Sequence, residues 1–241
     1  MSRFLLIFTL MLVMSMQVCC ISKQFVPELY KRTAYNQVAM IMIEFEIHDL
    51  VAKTVSHPTI QATAFAVDKT YLATAGHFCV GAFEMAMQSK NLKTTMTYVD
   101  GNEELTTVND FKIVAIDVKN DLCVIEKPMH RLIPVKLAKD FRPKIRDKVY
   151  TVGAPRGTFP IETQGYISSP FIFSENEDLN GKVLCSLAIY SGNSGSPAYN
   201  DSGEVIGVIV MGDKIYPNVA IYTPIKYLVT LMIEVAKQKS N

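Results

Sequence analysis

Short apolar runs separated by polar turn residues dominate the chain from residue 35 onward. Runs of this kind that are rich in Val, Ile, Phe and Tyr are typical of strands rather than helices. Ten segments have this character: 38–47, 60–67, 71–75, 111–118, 121–126, 147–153, 164–168, 182–189, 204–212 and 218–224. Turn-forming pairs such as Asn180-Gly181 separate several of them. The pattern therefore predicts a mostly antiparallel β protein.

Three other segments complete this outline. Residues 82–92 are a candidate helix, and residues 224–238 begin with proline and carry apolar residues at helical spacing, which predicts a C-terminal helix. Residues 132–147 are polar and contain two prolines. They lie between two groups of strands, which favours a crossover between two β-barrel halves of about a hundred residues each.

The N-terminal segment has the pattern of a secretory signal peptide, because Arg3 precedes an apolar run from Phe4 to Met14. Two alternatives stay open: an uncleaved membrane anchor, since the run through Ile21 approaches the length of a bilayer span, and lipid attachment at Cys19 or Cys20. All three place the protein outside the cytoplasm, unless the segment is simply a buried helix, so we expect an exported protein. The expected organisation is residues 1–22 as signal peptide or anchor, 23–137 as an N-terminal barrel and 138–241 as a C-terminal barrel with the final helix.

Composition narrows the classes of function. The net charge is +1, from 24 basic and 23 acidic residues, so no strong field is available to attract nucleic acid. Beyond the N-terminal segment only Cys79, Cys123 and Cys185 remain, and an odd, small number argues against a disulfide framework. We expect Cys123, inside the apolar run LCVIE, to be a small buried hydrophobic residue.

The most unusual stretch is YSGNSGSPAYN at 190–200, in which Gly, Ser, Asn and Pro exclude a helix interior and indicate a tight loop. Such a loop can present the Ser194 hydroxyl, but a hydroxyl is a weak nucleophile and needs a base with an orienting group. His77 follows the apolar strand segment in LATAGHFCV, and Asp121 precedes another in KNDLCVIEK. The order along the chain is therefore His, Asp, Ser.

At these positions the sequence resembles the chymotrypsin-fold, trypsin-like serine proteases. TAGHFC at 74–79 is similar to the TAAHC block of that family, NDLCVI at 120–125 to its Asn-Asp-aliphatic block, and GNSGSP at 192–197 to its GDSGGP block. The resemblance covers roughly residues 60–226 and is closest to the HtrA-type and glutamyl-endopeptidase-like branch, here without a PDZ domain. It implies an all-β fold of two six-stranded antiparallel barrels with a C-terminal helix.

The resemblance also implies roles for the three residues. Ser194 would attack the scissile carbonyl, His77 would accept and return the proton, and Asp121 would orient the imidazole. The backbone N–H groups of Gly192 and Ser194 would form the oxyanion hole. Asp117 is the rival orienting group, although it lacks the preceding Asn and the following aliphatic run. No cofactor is implied, and no His/Cys cluster has the spacing of a metal site.

Two departures from the family change the expectation. Asn193 stands where trypsin-like zymogens carry an Asp that pairs with a newly cut N-terminus, so activation by that cleavage is not expected. Gly76 replaces the usual Ala before the histidine, a change that we expect to be tolerated. The position of Cys79 is shifted by one from the family pattern, so the usual disulfide beside the histidine is not assumed.

The predicted substrate pocket has no acidic residue at its base, which favours small or medium apolar side chains before the cleaved bond. Its residues by position are Ala188, Ile189, Val210, Met211, Gly212 and Ala220.

The leading hypothesis is an exported serine endopeptidase with protein or peptide substrates. The alternatives are a non-catalytic binding protein of the protease fold, and a virus-encoded processing protease tethered by its N-terminus. The oligomeric state is not indicated by the sequence.

Overall fold

A computed structural model describes residues 34–49, 52–99, 104–127, 130–212 and 218–240. The predicted signal peptide or anchor lies outside these residues. Within them, no helix combines the length and the apolar character that a membrane span requires.

The first half of the described chain forms an eight-stranded antiparallel sheet. Its strand order is β6-β5-β1-β3-β4-β8-β7, and β2 pairs with β1. Its elements are β1 (Val38–Asp49), β2 (Thr54–Ser56), β3 (Thr59–Ala66), β4 (Tyr71–Ala75), α1 (Gly76–Ala86), β5 (Asn91–Val99), β6 (Leu105–Asn109), β7 (Lys112–Asp117) and β8 (Leu122–Glu126). In β1, Ile41, Ile43 and Phe45 are buried and alternate with partly exposed residues, so one face of the strand lines a core.

The second half forms a seven-stranded sheet in which six strands close into a ring, because β13 pairs with both β10 and β14. Strand β9 is added to β14 by the one parallel pairing among the described strands. The elements are β9 (Lys136–Leu137), β10 (Lys148–Gly153), β11 (Ile161–Ser169), β12 (Val183–Cys185), β13 (Pro197–Tyr199), β14 (Glu204–Gly212), β15 (Ala220–Pro224) and α2 (Ile225–Ser240).

Three apolar clusters hold these elements together. One lies within the first sheet and one within the second. The third joins the two sheets to α2, which contributes Ile225, Leu228, Leu231 and Val235 from one face at helical spacing. The two sheets therefore share a packed interface, and residues from both can contribute to one site.

The all-β architecture with a C-terminal helix is confirmed, but the predicted helix at 82–92 has the wrong bounds. The helix α1 begins at Gly76, directly after β4, and ends at Ala86. Residues 91–92 already belong to β5, because they pair with Glu46 and Phe45 of β1.

Candidate active site

The strand-to-helix junction places His77 in the first turn of α1, immediately after β4 ends at Ala75. Half of its side-chain surface is exposed. Gly76 packs closely against the chain that enters β8, since a Cβ at this position would lie 2.8 Å from Leu122 N and 2.9 Å from Asp121 C. The Gly that replaces the family's usual Ala is therefore required by this close approach, and not merely tolerated.

Asp121 lies in the turn between β7 and β8, and its carboxylate accepts hydrogen bonds from two donors of His77, the backbone N–H and an Nδ1–H shared between the two oxygens. The backbone N–H of His77 donates to Oδ1 at 2.6 Å, and Nδ1 lies 2.9 Å from Oδ2 and 3.1 Å from Oδ1. Burial alone would raise the pKa of Asp121, but the hydrogen bonds and charge of His77, with the charge of Lys182, outweigh it and lower the pKa below its usual value.

The rival carboxylate, Asp117, contacts a different residue of the same turn. Asp117 accepts hydrogen bonds from the backbone N–H of Asn120 at 3.0 Å and from its side-chain amide at 2.6 Å. These bonds stabilise the turn, in which Asp121 has a φ of +56°. Asp and Asn enter this left-handed region more readily than other non-glycine residues. Asp121, rather than Asp117, contacts the histidine.

The loop that carries Ser194 is shaped by two glycines with positive φ, Gly192 at +100° and Gly195 at +86°. A Cβ at Gly192 would clash with Ala154 O, and one at Gly195 would clash with Thr63 O. No other residue type fits at either position, because L side chains avoid this backbone region and no space is available. Ser194 between them is half-buried.

Thr63 of β3 braces this loop from the first sheet, a role that the sequence analysis missed. Its backbone N–H donates to Ser194 O at 2.9 Å, and its hydroxyl donates to Gly192 O at 2.8 Å. The same hydroxyl accepts the N–H of Ala154 at 3.0 Å. Thr63 is fully buried. One side chain therefore ties two loops of the second sheet to the first.

A cleft of about 600 Å³ opens beside His77 and Asp121. Two predicted pocket residues of β14, Val210 and Met211, line it together with Val80 of α1. Val210 is buried, whereas 38% of the Met211 surface is exposed. The cleft therefore presents an apolar wall next to the histidine.

Three other predicted pocket residues lie together on the second sheet. Gly212 pairs with Ala220 across β14 and β15, and a Cβ at Gly212 would lie 3.0 Å from Ile189 Cδ1. Ala188, the neighbour of Ile189, is partly exposed and lies in the segment between β12 and β13. The apolar side chains expected for the pocket are thus found near the strand that also lines the cleft.

Cys79 and Cys123 form a disulfide, so the expectation that Cys123 is only a small buried hydrophobic residue is wrong. The sequence contained a signal for it, since Cys79 and Cys123 lie two residues after His77 and Asp121, respectively. Segments that bring the first pair into contact also bring the second pair together. Cys185 is the free cysteine of the described residues, and burial raises its pKa to about 12.

Lys182, like Thr63, was not singled out from the sequence. It lines the cleft with His77 and Asp121 and is only 5% exposed. A lysine in the sequence NGKVLC gives no sign of burial, because lysine is ordinarily exposed.

Comparison with known proteins identifies the family. Residues 62–208 match the family described as Trypsin-like peptidase domain. The chain is 29% identical over 147 residues to a probable periplasmic serine endoprotease DegP-like of Hahella chejuensis, a match that covers 61% of this chain and 28% of the relative. A Brucella suis protein of the same description is 28% identical over 170 residues, covering 69% of this chain and 29% of the relative. The matches thus span less than a third of these curated relatives.

Solved structures show the same fold. Deg5 superposes with a TM-score of 0.66 at 21% identity, covering 84% of this chain and 90% of that chain. The HtrA-type protease AlgW, determined with a decapeptide, gives a TM-score of 0.68 at 16% identity and covers 87% of this chain and 66% of that chain. The family match covers residues 62–208, and both the fold and the His77–Asp121 contact agree with it. This chain therefore belongs to the trypsin-like peptidase family.

Proposed function

We propose that this chain is a serine endopeptidase in which Ser194 is the nucleophile and His77 the general base. The observation that carries the proposal is the hydrogen bonding of His77 Nδ1 to the carboxylate of Asp121 in the wall of the cleft. An Nδ1–H donated to Asp121 leaves Nε2 unprotonated and able to accept a proton. The lowered pKa of Asp121 keeps the carboxylate ionised for this role.

The reaction would proceed through an acyl-enzyme. Ser194 Oγ bonds to the scissile carbonyl carbon while its proton passes to His77 Nε2. Collapse of the tetrahedral intermediate breaks the C–N bond, and the imidazolium gives that proton to the leaving amine. Water then attacks the ester, again losing a proton to His77, and the second collapse returns the proton to Ser194 and releases the carboxyl product.

The backbone N–H groups of Gly192 and Ser194 are the proposed oxyanion donors. The fixed bend at Gly192 and the hydrogen bonds of Thr63 to this loop support that assignment, because donors held in place need no reorganisation during the reaction. Each such donor is worth about 2.7–4 kcal/mol in the transition state.

The proposed substrate preference is a small or medium apolar side chain before the cleaved bond. The contact of Gly212 with Ile189 and the apolar surroundings of Ala220 support this preference. None of the six predicted pocket residues carries a charge that could bind Arg, Lys or Glu.

Export is part of the proposal. The N-terminal segment has the features of a signal peptide or anchor, and a structural disulfide between Cys79 and Cys123 persists in oxidising compartments. The relatives named above are described as periplasmic.

The decisive experiment is the intact mass of the full-length protein after exposure to a fluorophosphonate. We expect one covalent adduct on the wild type and none on Ser194→Ala or His77→Ala. Folding of each variant would be checked by circular dichroism. A folded wild-type protein that gains no adduct would contradict the proposal and favour a binding protein of the protease fold. Labelling combined with cleavage restricted to one junction would favour a processing protease.

A further inference from the structure

A buried lysine, Lys182, immediately precedes β12 in the wall of the cleft. Strand β12 pairs with β15, and this pairing brings Lys182 to the cleft that His77 and Asp121 also line. Val183 pairs with Tyr222, and the next residue, Thr223, donates its hydroxyl to Asn120 O at 2.7 Å. Asn120 directly precedes Asp121. The second sheet is therefore anchored to the backbone that positions the carboxylate, and Lys182 lies next to that anchor.

Within the described part of the chain, Lys182 has no close ionic partner. Burying an ammonium group is costly unless it is paired, yet among the residues that the structure describes no carboxylate oxygen lies within 4 Å of its nitrogen. Burial lowers the pKa of Lys182, and the carboxylates of Asp121, Asp178 and Asp117 oppose that shift. Of these three carboxylates, Asp121 has the largest effect on the pKa of Lys182.

The charged groups facing Lys182 come from every side of the cleft. Asp117 ends β7, Asp121 lies in the turn between β7 and β8, His77 and Glu84 belong to α1, and Asp178 lies in the segment before β12. Asp121 already accepts hydrogen bonds from His77, while Glu84 and Asp178 are exposed to solvent, which screens their charges. Asp117 is bonded to Asn120, so the interaction that burial best protects from screening is the one between Lys182 and Asp121, whose side chain is 17% exposed.

We infer that Lys182 is a positioning residue that acts electrostatically on the His77–Asp121 pair and extends activity toward acidic pH. The inference rests on the proposed function. A fixed positive charge in this wall favours the ionised carboxylate of Asp121. Because the ionised carboxylate is the form that orients the imidazole as a base, keeping Asp121 ionised extends activity to lower pH.

The test is the pH dependence of the second-order rate constant for labelling of the full chain by a fluorophosphonate, compared between wild type and Lys182→Met. This probe reports on Ser194 and His77 without depending on peptide preference. We expect the acid limb to move to higher pH by about half to one unit in Lys182→Met, a roughly three- to tenfold loss of rate below the limb. The plateau rate should not fall, and Lys182→Arg, which keeps the charge, should retain the wild-type limb.

The matched control is Lys136→Met, since Lys136 is an exposed lysine paired with Glu204 at 2.6 Å and does not line the cleft. It should leave the pH profile of labelling unchanged. Lys182→Gln gives the same comparison if the Met variant does not fold.

A reduced plateau with an unmoved acid limb would overturn the inference and indicate a structural role. An unchanged labelling profile with a selective loss of cleavage of acidic peptides would overturn it in favour of substrate binding. Absence of labelling in the wild type would instead contradict the proposed function.

Discussion

The disulfide between Cys79 and Cys123 joins α1 to the β8 segment two residues beyond the contact between His77 and Asp121. Both pairs are separated by 44 residues in the chain. A covalent link and a set of hydrogen bonds therefore hold the same two segments together. The proposed catalytic role requires the two side chains to be held to within about 0.5 Å of their productive geometry, so we expect the disulfide to support the site as well as the fold.

Removing this disulfide should cost both stability and reactivity. For the double variant Cys79→Ala/Cys123→Ala, we expect the free energy of unfolding in urea to fall by about 3–4 kcal/mol, since the crosslink spans 44 residues. Fluorophosphonate labelling should slow as well, because the two segments gain freedom. Cys185→Ala, which removes a buried free thiol, is the control and should cost about 1 kcal/mol. Equal losses in the two proteins would contradict a stabilising role for the disulfide.

Two glycines of α1 give a matched test of the close approach at the histidine. Gly76→Ala would place a methyl group 2.8 Å from Leu122 N and 2.9 Å from Asp121 C, so backbone must move. We expect a loss of about 1–3 kcal/mol in stability and at least a tenfold drop in labelling rate, because Asp121 is displaced from His77.

Gly81→Ala is the control on the same helix, because a Cβ at Gly81 meets no atom within 4 Å. It should raise the stability by up to about 1 kcal/mol through helix propensity. The measurement is thermal unfolding of both variants beside their labelling rates. If Gly76→Ala behaves like Gly81→Ala, the junction is not tightly packed.

The hydroxyl of Thr63 should support the loop that carries Ser194. Thr63→Val keeps the shape but leaves the buried Gly192 O and the Ala154 N–H without the hydroxyl that bonds them. Two groups are left unsatisfied at about 1–3 kcal/mol each, so we expect a loss of stability of about 2–6 kcal/mol and slower labelling. Thr63→Ser retains the hydroxyl and should recover most of the rate. A Val variant as reactive as the Ser variant would show that these bonds do not position the loop.

Local motifs allowed much of this arrangement to be predicted. His77, Asp121 and Ser194 lie in short segments whose composition alone marks a strand end or a tight loop. Strands such as β1 and β14 have long apolar runs, so the pattern was sufficient to predict them. Strand β5 was missed, because its Thr-rich sequence NLKTTMTYV has few apolar residues and its first three residues are exposed.

The contacts that were missed are long-range. Thr63 bonds to Gly192 across 129 residues, and no local feature of QATAF indicates that partner. Lys182 is buried only because β12 and β15 bring it to the same cleft as Asp121. Strand periodicity indicates which residues are apolar, but not which polar residues the packing of two sheets encloses.

The proposed substrate preference can be measured with a panel of peptides that differ only in the residue before the cleaved bond. We expect cleavage after Ala, Val or Leu, and little after Arg, Lys or Glu. Gly212→Val should reduce kcat/KM for Leu more than for Ala, because a side chain at Gly212 would crowd Ile189. Labelling of Ser194 by a small fluorophosphonate is the control that the site is intact. Strict cleavage after a charged residue would contradict the apolar pocket.

Replacing Asp121 by Asn should lower kcat and should also change how the stability depends on pH. The uncharged amide cannot stabilise the imidazolium and favours the wrong tautomer, and a loss of about 10⁴ in kcat accompanies such a change in a serine protease of this type. The lowered pKa of Asp121 also makes a stability prediction. The carboxylate stabilises the folded state at pH values above its unfolded pKa of about 3.9, and this contribution disappears as the pH falls through the lower folded pKa.

The measurement is the free energy of unfolding at a series of pH values from about 7 to about 2, a range that includes the pKa values of carboxyl groups. The wild type should lose more stability than Asp121→Asn on acidification, and the difference between the two curves should shrink as the pH falls below about 4. Asp117→Asn is the matched control, because it alters the neighbouring turn without touching His77. Its rate of fluorophosphonate labelling should have the same acid limb as that of the wild type. Parallel curves for wild type and Asp121→Asn would mean that the His77 contact does not shift the carboxyl group, because a shifted pKa must appear as a pH-dependent difference in stability.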